Sequence, residues 1–259
     1  MTAVVAPPAV SYALVDGVAW LTIQRPEARN CLSRAVREGL FDGVRRFNDD
    51  DAAQVLVLTG SGERAFCAGG DLKEMAADRL EVPPIDFVPQ FNRNIEVTKP
   101  TIAAVNGAAL AGGFLLAQTC DLVVAADHAT FAISEVRVGR GAPWAAPLPG
   151  LIPPRVAMEM LLTGAPITAA RGYEVGLVNH VVPMERLQET AQELARRIAA
   201  NAPLSVRAGK RTVRLIAEMG LTEAFAAAEE IWEPVYRSRD AQEGPAAFRD
   251  KRAPRWEGR

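Results

Sequence analysis

Two glycine pairs stand where a backbone could hold negative charge. In the first, Ala65-Phe66-Cys67-Ala68 reads as a short strand that runs into Gly69-Gly70, and Asp71-Leu72-Lys73-Glu74-Met75 opens a helix at once. In the second, Thr101–Val105 reads as a strand, Asn106-Gly107 breaks it, and Gly112-Gly113 precedes the helix Gly113–Cys120. The first N–H groups of a helix have no intrahelical partner and favour negative charge. Glycine lets a ligand approach the backbone closely. Facing one another, two such turns would form an oxyanion hole; each alone is also explained by the needs of a tight turn.

Other routes to catalysis find little support. There is no G-x-S-x-G, phosphate-binding loop, H-E-x-x-H or post-strand G-x-G-x-x-G. The two histidines, His128 and His180, fall in turn or strand contexts and read as structural or exposed. The cysteines Cys31, Cys67 and Cys120 are odd in number and lack metal spacing, so they read as core thiols of a reducing, cytoplasmic compartment. No metal site is expected. Charges nearly balance, with 29 basic against 31 acidic residues and a net charge of −2, which favours neither nucleic acid nor an anionic membrane. The opening MTAVVAPPAVSYA lacks the pattern of a secretion signal, and the apolar stretch Ile102–Ala117 is too short and glycine-rich to span a bilayer.

The elements that must position the glycines follow from periodicity. Tyr12–Val15 and Val18–Ile23 read as a hairpin about Asp16-Gly17. Ser33 opens an amphipathic helix with Val36, Leu40, Val44 and Phe47 on one face. Gln54–Thr59 reads as a strand buried on both faces. Asp71–Leu80 is expected as a helix, with Asp71 and Glu74 forming a capping box, Glu81–Pro89 as a proline-rich loop and Phe91–Thr98 as helical. Asp121–Ala125 and Thr130–Ile133 are strands. Strand, turn and helix recur at intervals of about fifty residues, the mark of a repeating β-β-α core. Met184–Ala200, Leu204–Met219 and Thr222–Tyr236 read as helices, the first with a stripe of Leu187, Ala191, Leu194, Ala195 and Ile198.

The two glycine segments, A-F-C-A-G-G-D-L-K-E-M and K-P-T-I-A-A-V-N-G-A-A-L-A-G-G, resemble the signatures of the crotonase (enoyl-CoA hydratase/isomerase) superfamily. Arg25-Pro26-Glu27-Ala28-Arg29-Asn30 is similar to its turn after the first hairpin. Leu162-Thr163-Gly164, Ala169-Ala170, Gly176-Leu177-Val178 and the tail from Glu243 through Trp256 agree as well. The resemblance implies an α/β crotonase-like spiral of β-β-α units over residues 1–200, with a helical trimerisation region over 201–259. It implies a homotrimer or dimer of trimers acting on an acyl-CoA substrate, with coenzyme A carried by the substrate and no separate cofactor. By it, Gly70 and Gly112 supply the oxyanion amides, and Ala28, Ala68, Asp71 and Leu72 line the CoA channel. Lys73 is a candidate phosphate contact or a solvated helix lysine.

The chain departs from the family's two-glutamate hydratase pattern. The first glutamate position, three residues after Gly112, holds Leu115; the second is present as Glu135. Water addition can divide base and acid between two carboxylates, whereas migration of a double bond from the 3- to the 2-position needs one proton shuttle. Glu135 beside apolar Leu115 suits the shuttle, and desolvation would raise its pKa. 3-Enoyl to 2-enoyl-CoA isomerases of the superfamily show a similar leucine-for-glutamate pattern. The segment Gly139–Pro147 also departs, and its Trp144 is a substrate-pocket wall or a core residue. Glu81 and Asp86, on the loop expected to cover the acyl pocket, are candidates for a displaced second carboxylate. The alternatives to isomerisation are a hydratase (lyase) or other crotonase-type reaction with such a second group, and a CoA-binding oligomer without turnover.

Overall fold

A computed structural model describes residues 8–259, so the start of the segment read for a secretion signal lies outside the described residues. The strands are β1 (Val10–Val15), β2 (Val18–Ile23), β3 (Val55–Gly60), β4 (Ala65–Cys67), β5 (Thr101–Val105), β6 (Ala108–Leu110), β7 (Leu122–Ala126), β8 (Thr130–Ala132), β9 (Ile167–Thr168) and β10 (His180–Val182). The helices are α1 (Arg34–Asp49), α2 (Leu72–Ala77), α3 (Gly112–Thr119), α4 (Pro154–Thr163), α5 (Ala169–Glu174), α6 (Leu187–Ala199), α7 (Pro203–Glu218), α8 (Leu221–Tyr236) and α9 (Arg239–Arg249).

The strands build two sheets, β1-β2-β3-β5-β7-β10 and β4-β6-β8-β9. Apart from the β1–β2 hairpin and the β8–β9 pair, every pairing is parallel. The repeat is thus geometric: β3, β5 and β7 lie side by side in the large sheet, and β4, β6 and β8 in the small one. Each turn of the chain gives one strand to each sheet, which is the crotonase-like spiral. The third turn follows the second at about half the expected interval, because α3 leads almost directly into β7.

Alternation within the strands buries both faces of the large sheet. Leu56 and Leu58 point into the main core with Phe66, Phe114 and Phe131, while Val55 and Val57 meet Leu187, Ala191 and Ala195 of α6. Burial on both faces explains the unbroken apolar run of β3. The α6 stripe is placed as its spacing predicts, and so is the α1 face of Val36, Leu40, Val44 and Phe47. Ser33 caps α1 by accepting from the Val36 N–H at 3.4 Å.

Several expectations change. Phe91–Thr98 is irregular rather than helical, because its asparagines bond locally: Asn92 Oδ1 accepts from the Val97 N–H, and Asn94 Oδ1 from the Gln90 N–H. α2 ends at Ala77, short of Leu80, and Met184–Arg186 is a 3₁₀ turn ahead of α6. The strand β6 lies inside what reads as one glycine-rich turn, and α4, α5 and α9 add to the three expected helices of the later chain. No described helix is long and apolar enough to cross a membrane.

Candidate active site

The turn at Arg25–Asn30 sets the floor of the site. Asn30 is buried in the left-handed region at φ 54°. Its Oδ1 accepts from the Arg25 N–H at 3.0 Å, and its Nδ2 donates to the carbonyls of Ser61 and Ala65 at 3.0 and 2.7 Å. Asn106 Nδ2 also donates to Ala65 O, at 3.1 Å. Two carboxamides therefore fix the start of β4, which delivers Gly69 and Gly70. The Leu32 N–H donates to Gly69 O at 2.8 Å.

The two glycine turns abut. A Cβ on Gly69, whose φ is 91°, would sit 2.8 Å from the Cβ of Ala111. A Cβ on Gly113 would sit 1.9 Å from the carbonyl oxygen of Cys67, and one on Gly112 would sit 2.7 Å from Leu32 Cδ1. Such separations are open only to glycine. Ala111 itself is held at φ 51°, ψ −123°, a strained conformation just ahead of the Gly112 amide. Among the described residues neither Gly70 N–H nor Gly112 N–H donates to a protein acceptor. Gly112 is the first residue of α3, so its amide also carries the positive end of the helix dipole.

Asp71 supports the first turn. Its carboxylate accepts from the N–H groups of Lys73 and Glu74 at 3.1 and 3.3 Å and from Arg25 Nη1 at 2.7 Å. The Arg25 hydrogen bond is the main reason its pKa falls below the usual carboxylate value. Glu74 does not close the expected capping box: its Oε2 accepts from the Arg34 N–H at 2.8 Å and satisfies the first amide of α1 instead. Cys31 is also not a plain core thiol, since its sulfur accepts from Arg25 Nη1 at 3.1 Å. Ala28 and Ala68 are half-buried on this floor, where the Ala68 N–H donates to Arg29 O, while Leu72 and Lys73 are exposed.

The carboxylate reaches the second turn along β8. Leu110 pairs with Ala132, and the Ala111 N–H donates to Ala132 O at 2.9 Å. Three residues on, Glu135 lies in a 3₁₀ turn and is only 9% exposed. Its Oε1 accepts from the indole Nε1–H of Trp144 at 2.9 Å, and its buried Oε2 has no partner among the described residues. Burial pushes its pKa up; the Glu135 backbone N–H and the Trp144 indole act in the opposite direction. Leu115, one turn after Gly112, is buried in the same apolar cluster as Trp144.

Trp144 is buried in the main apolar core, and its indole also holds the carboxylate. Its ring stands edge-to-face on Phe114 at 5.7 Å, and its carbonyl accepts from Gln118 Nε2 at 3.1 Å. Gln118 went unnoticed in the sequence: α3 also ends on Thr119, so a polar residue near its C-terminus does not stand out. Glu81 and Asp86 are exposed, and neither side chain is brought to Glu135 by any described contact.

This arrangement offers two free amides, one buried carboxyl oxygen and an apolar surround, a set suited to proton transfer beside a developing oxyanion. Residues 14–259 match the family model for enoyl-CoA hydratase/isomerase. The chain belongs to that family. Its members act on CoA thioesters. Over 249 residues the chain is 37% identical to a carnitinyl-CoA dehydratase of Proteus mirabilis, covering 92% of this chain and 94% of that protein. The structure superposes on an enoyl-CoA hydratase of Mycobacterium marinum with a TM-score of 0.89 and 39% identity, covering 98% and 100% of the two chains. An enoyl-CoA hydratase of Mycobacterium tuberculosis gives 0.89 and 40% over the same shares.

The raised pKa of Glu135 has a consequence for stability. The folded chain holds the Glu135 proton more tightly than the unfolded chain does, so this group costs stability as pH rises from 4.5 through its folded pKa. Glu135→Gln keeps an acceptor for Trp144 and removes the buried charge. Its melting temperature should exceed wild type at neutral and alkaline pH, and the gap should close as pH falls toward 4.5. A gap independent of pH would contradict the assignment of a desolvated carboxyl.

Proposed function

We propose that the chain converts 3-enoyl-CoA to 2-enoyl-CoA, with Glu135 as the only proton shuttle. The N–H groups of Gly70 and Gly112 hold the thioester oxygen. Glu135 Oε2 removes the α-proton as the electron pair of the breaking C–H bond moves into a dienolate. The same oxygen returns the proton to the γ-carbon, leaving the double bond between the α- and β-carbons. No other atom is gained or lost. The observation that carries this reading is the pairing of one orphaned carboxyl oxygen with an apolar Leu115 at the position where two-carboxylate hydration would need its partner. Ala28, Ala68 and Leu72 would line the CoA path, with Asp71 shaping the turn and Lys73 reaching a phosphate. Coenzyme A then arrives on the substrate, and no separate cofactor takes part.

A second reading, reversible water addition and loss, draws support from the names of the relatives, a carnitinyl-CoA dehydratase and enoyl-CoA hydratases. It requires a second proton donor from substrate or solvent, since Glu81 and Asp86 face outward. Mass spectrometry of 2-enoyl-, 3-enoyl- and 3-hydroxyacyl-CoA in deuterated solvent separates the two. Bond migration without water addition is expected, and Glu135→Gln should lower it by about 10³-fold. Water addition outpacing migration would favour the second reading, and full activity of Glu135→Gln would sink the shuttle.

We also propose that residues 201–259 form the oligomerisation region of a homotrimer or dimer of trimers. Val213, Ile216, Leu221, Phe225 and Phe248 are all exposed apolar side chains there. Sedimentation should give three or six chains per particle, and a monomer at micromolar concentration would refute this.

A further inference from the structure

The segment that follows α2 roofs a cavity of about 260 Å³; half of its lining residues are charged, and the apolar half is Leu32, Met75, Leu80, Pro84 and Phe87. Two of these touch the oxyanion turns: Leu32 packs under Gly112, and Met75 Sδ lies 2.7 Å from where a Cβ of Gly70 would stand. The far half of the roof is fastened by Asn94 and by Arg37 of α1. Asn94 Nδ2 donates to the carbonyls of Ile85 and Val88 at 2.7 and 2.8 Å, and Arg37 lies 3.8 Å over the Phe87 ring.

The near half is fastened from elsewhere. Arg140 Nη1 donates to Leu80 O at 2.8 Å, and its Nη2 donates to Glu81 O at 2.9 Å. Among the described residues, no other side chain outside the 75–94 stretch hydrogen-bonds to residues 80–90. The planar fork of a guanidinium can span two successive carbonyls, which a lysine ammonium cannot match. The backbone of Arg140 completes the link, because its N–H donates to Glu135 O at 3.0 Å. Gly139, at φ 66°, turns the chain so that both bonds form from one residue.

We infer that Arg140 is a positioning residue that ties the roof of the cavity to the turn carrying Glu135, so that closing over the acyl group and placing the carboxylate are one movement. The roof's near half carries the exposed apolar residue Val82, which would otherwise have little to hold it down. Substrates whose acyl chain reaches the cavity should feel the strap most. The role in catalysis rests on the acyl-CoA reading above; the mechanical link does not.

Hydrogen exchange followed by mass spectrometry on the full chain, without ligand, tests the link. In Arg140→Ala, peptides covering 78–87 and 133–141 should both exchange about tenfold faster, and in Arg140→Lys by a smaller factor in both, as expected when one charge-assisted contact is lost or weakened. Loosening of 78–87 alone, or of neither, overturns the inference. Solvent-deuterium exchange at the α-carbon of hexanoyl-CoA then reads the coupling. Arg140→Ala should lower kcat about tenfold while KM changes less, with partial rescue by Arg140→Lys. A fall in KM-linked terms alone would mark a simple lid. If the wild-type protein exchanges no α-proton from any acyl-CoA, the functional reading fails, and the exchange of the two peptides still decides the strap.

Discussion

The contact between the two glycine turns is the constraint from which the rest of the structure follows. Cys67 O stands where a side chain on residue 113 would be, and Ala111 Cβ stands where one on residue 69 would be. Backbones this close leave the amides of Gly70 and Gly112 on adjoining turns without acceptors among the described residues. Such closeness has an energetic cost, seen in the strained Ala111, and it persists only because parallel strands clamp both sides. β4 pairs with β6 and β6 with β8, so the same small sheet sets the separation of the amides and carries the chain to Glu135.

Around that contact the polar groups divide into those that hold backbone and one carboxylate that does not. Asn30, Asn106, Asp71 and Arg25 spend their hydrogen bonds on carbonyls, amides and one another. They are buried or half-buried and hold the two turns in place. Glu135 is different. It is buried with one oxygen held by Trp144 and the other without a partner among the described residues, in surroundings that raise its pKa. Burial that raises the pKa of a carboxyl group makes it a better proton acceptor than an exposed one.

Much of this was legible in the sequence, for physical reasons. Glycine pairs between a strand and a helix advertise a close backbone approach, which the structure shows, but only the family resemblance picked out Gly70 and Gly112 among them. The spiral was readable from the recurrence of strand, turn and helix together with the family resemblance, and the double-sided burial of β3 from its unbroken apolar run. Side-chain reach is what the sequence hides. Glu74 bonds to α1 rather than to its own helix, because the unsatisfied amide of Arg34 lies closer in space than in sequence. Trp144, Gln118 and Arg140 each act on a partner outside their own element, and nothing local marks such contacts. β6 was hidden because a three-residue strand flanked by glycines has no periodicity to show. Phe91–Thr98 has helical spacing, yet its asparagines satisfy the backbone locally.

Convergence of the two amides on one oxygen can be measured directly. Glu135→Gln protein, which should bind without turning over, can be mixed with an acyl-CoA carrying carbon-13 at the thioester carbonyl. Isotope-edited infrared spectroscopy then reports the strength of that C=O bond. The stretch should move to distinctly lower frequency on binding than in water, because two aligned amides polarise the carbonyl more than solvent does. A bound thioester whose stretch stays at its aqueous position or moves higher would mean that the amides of Gly70 and Gly112 do not share an acceptor.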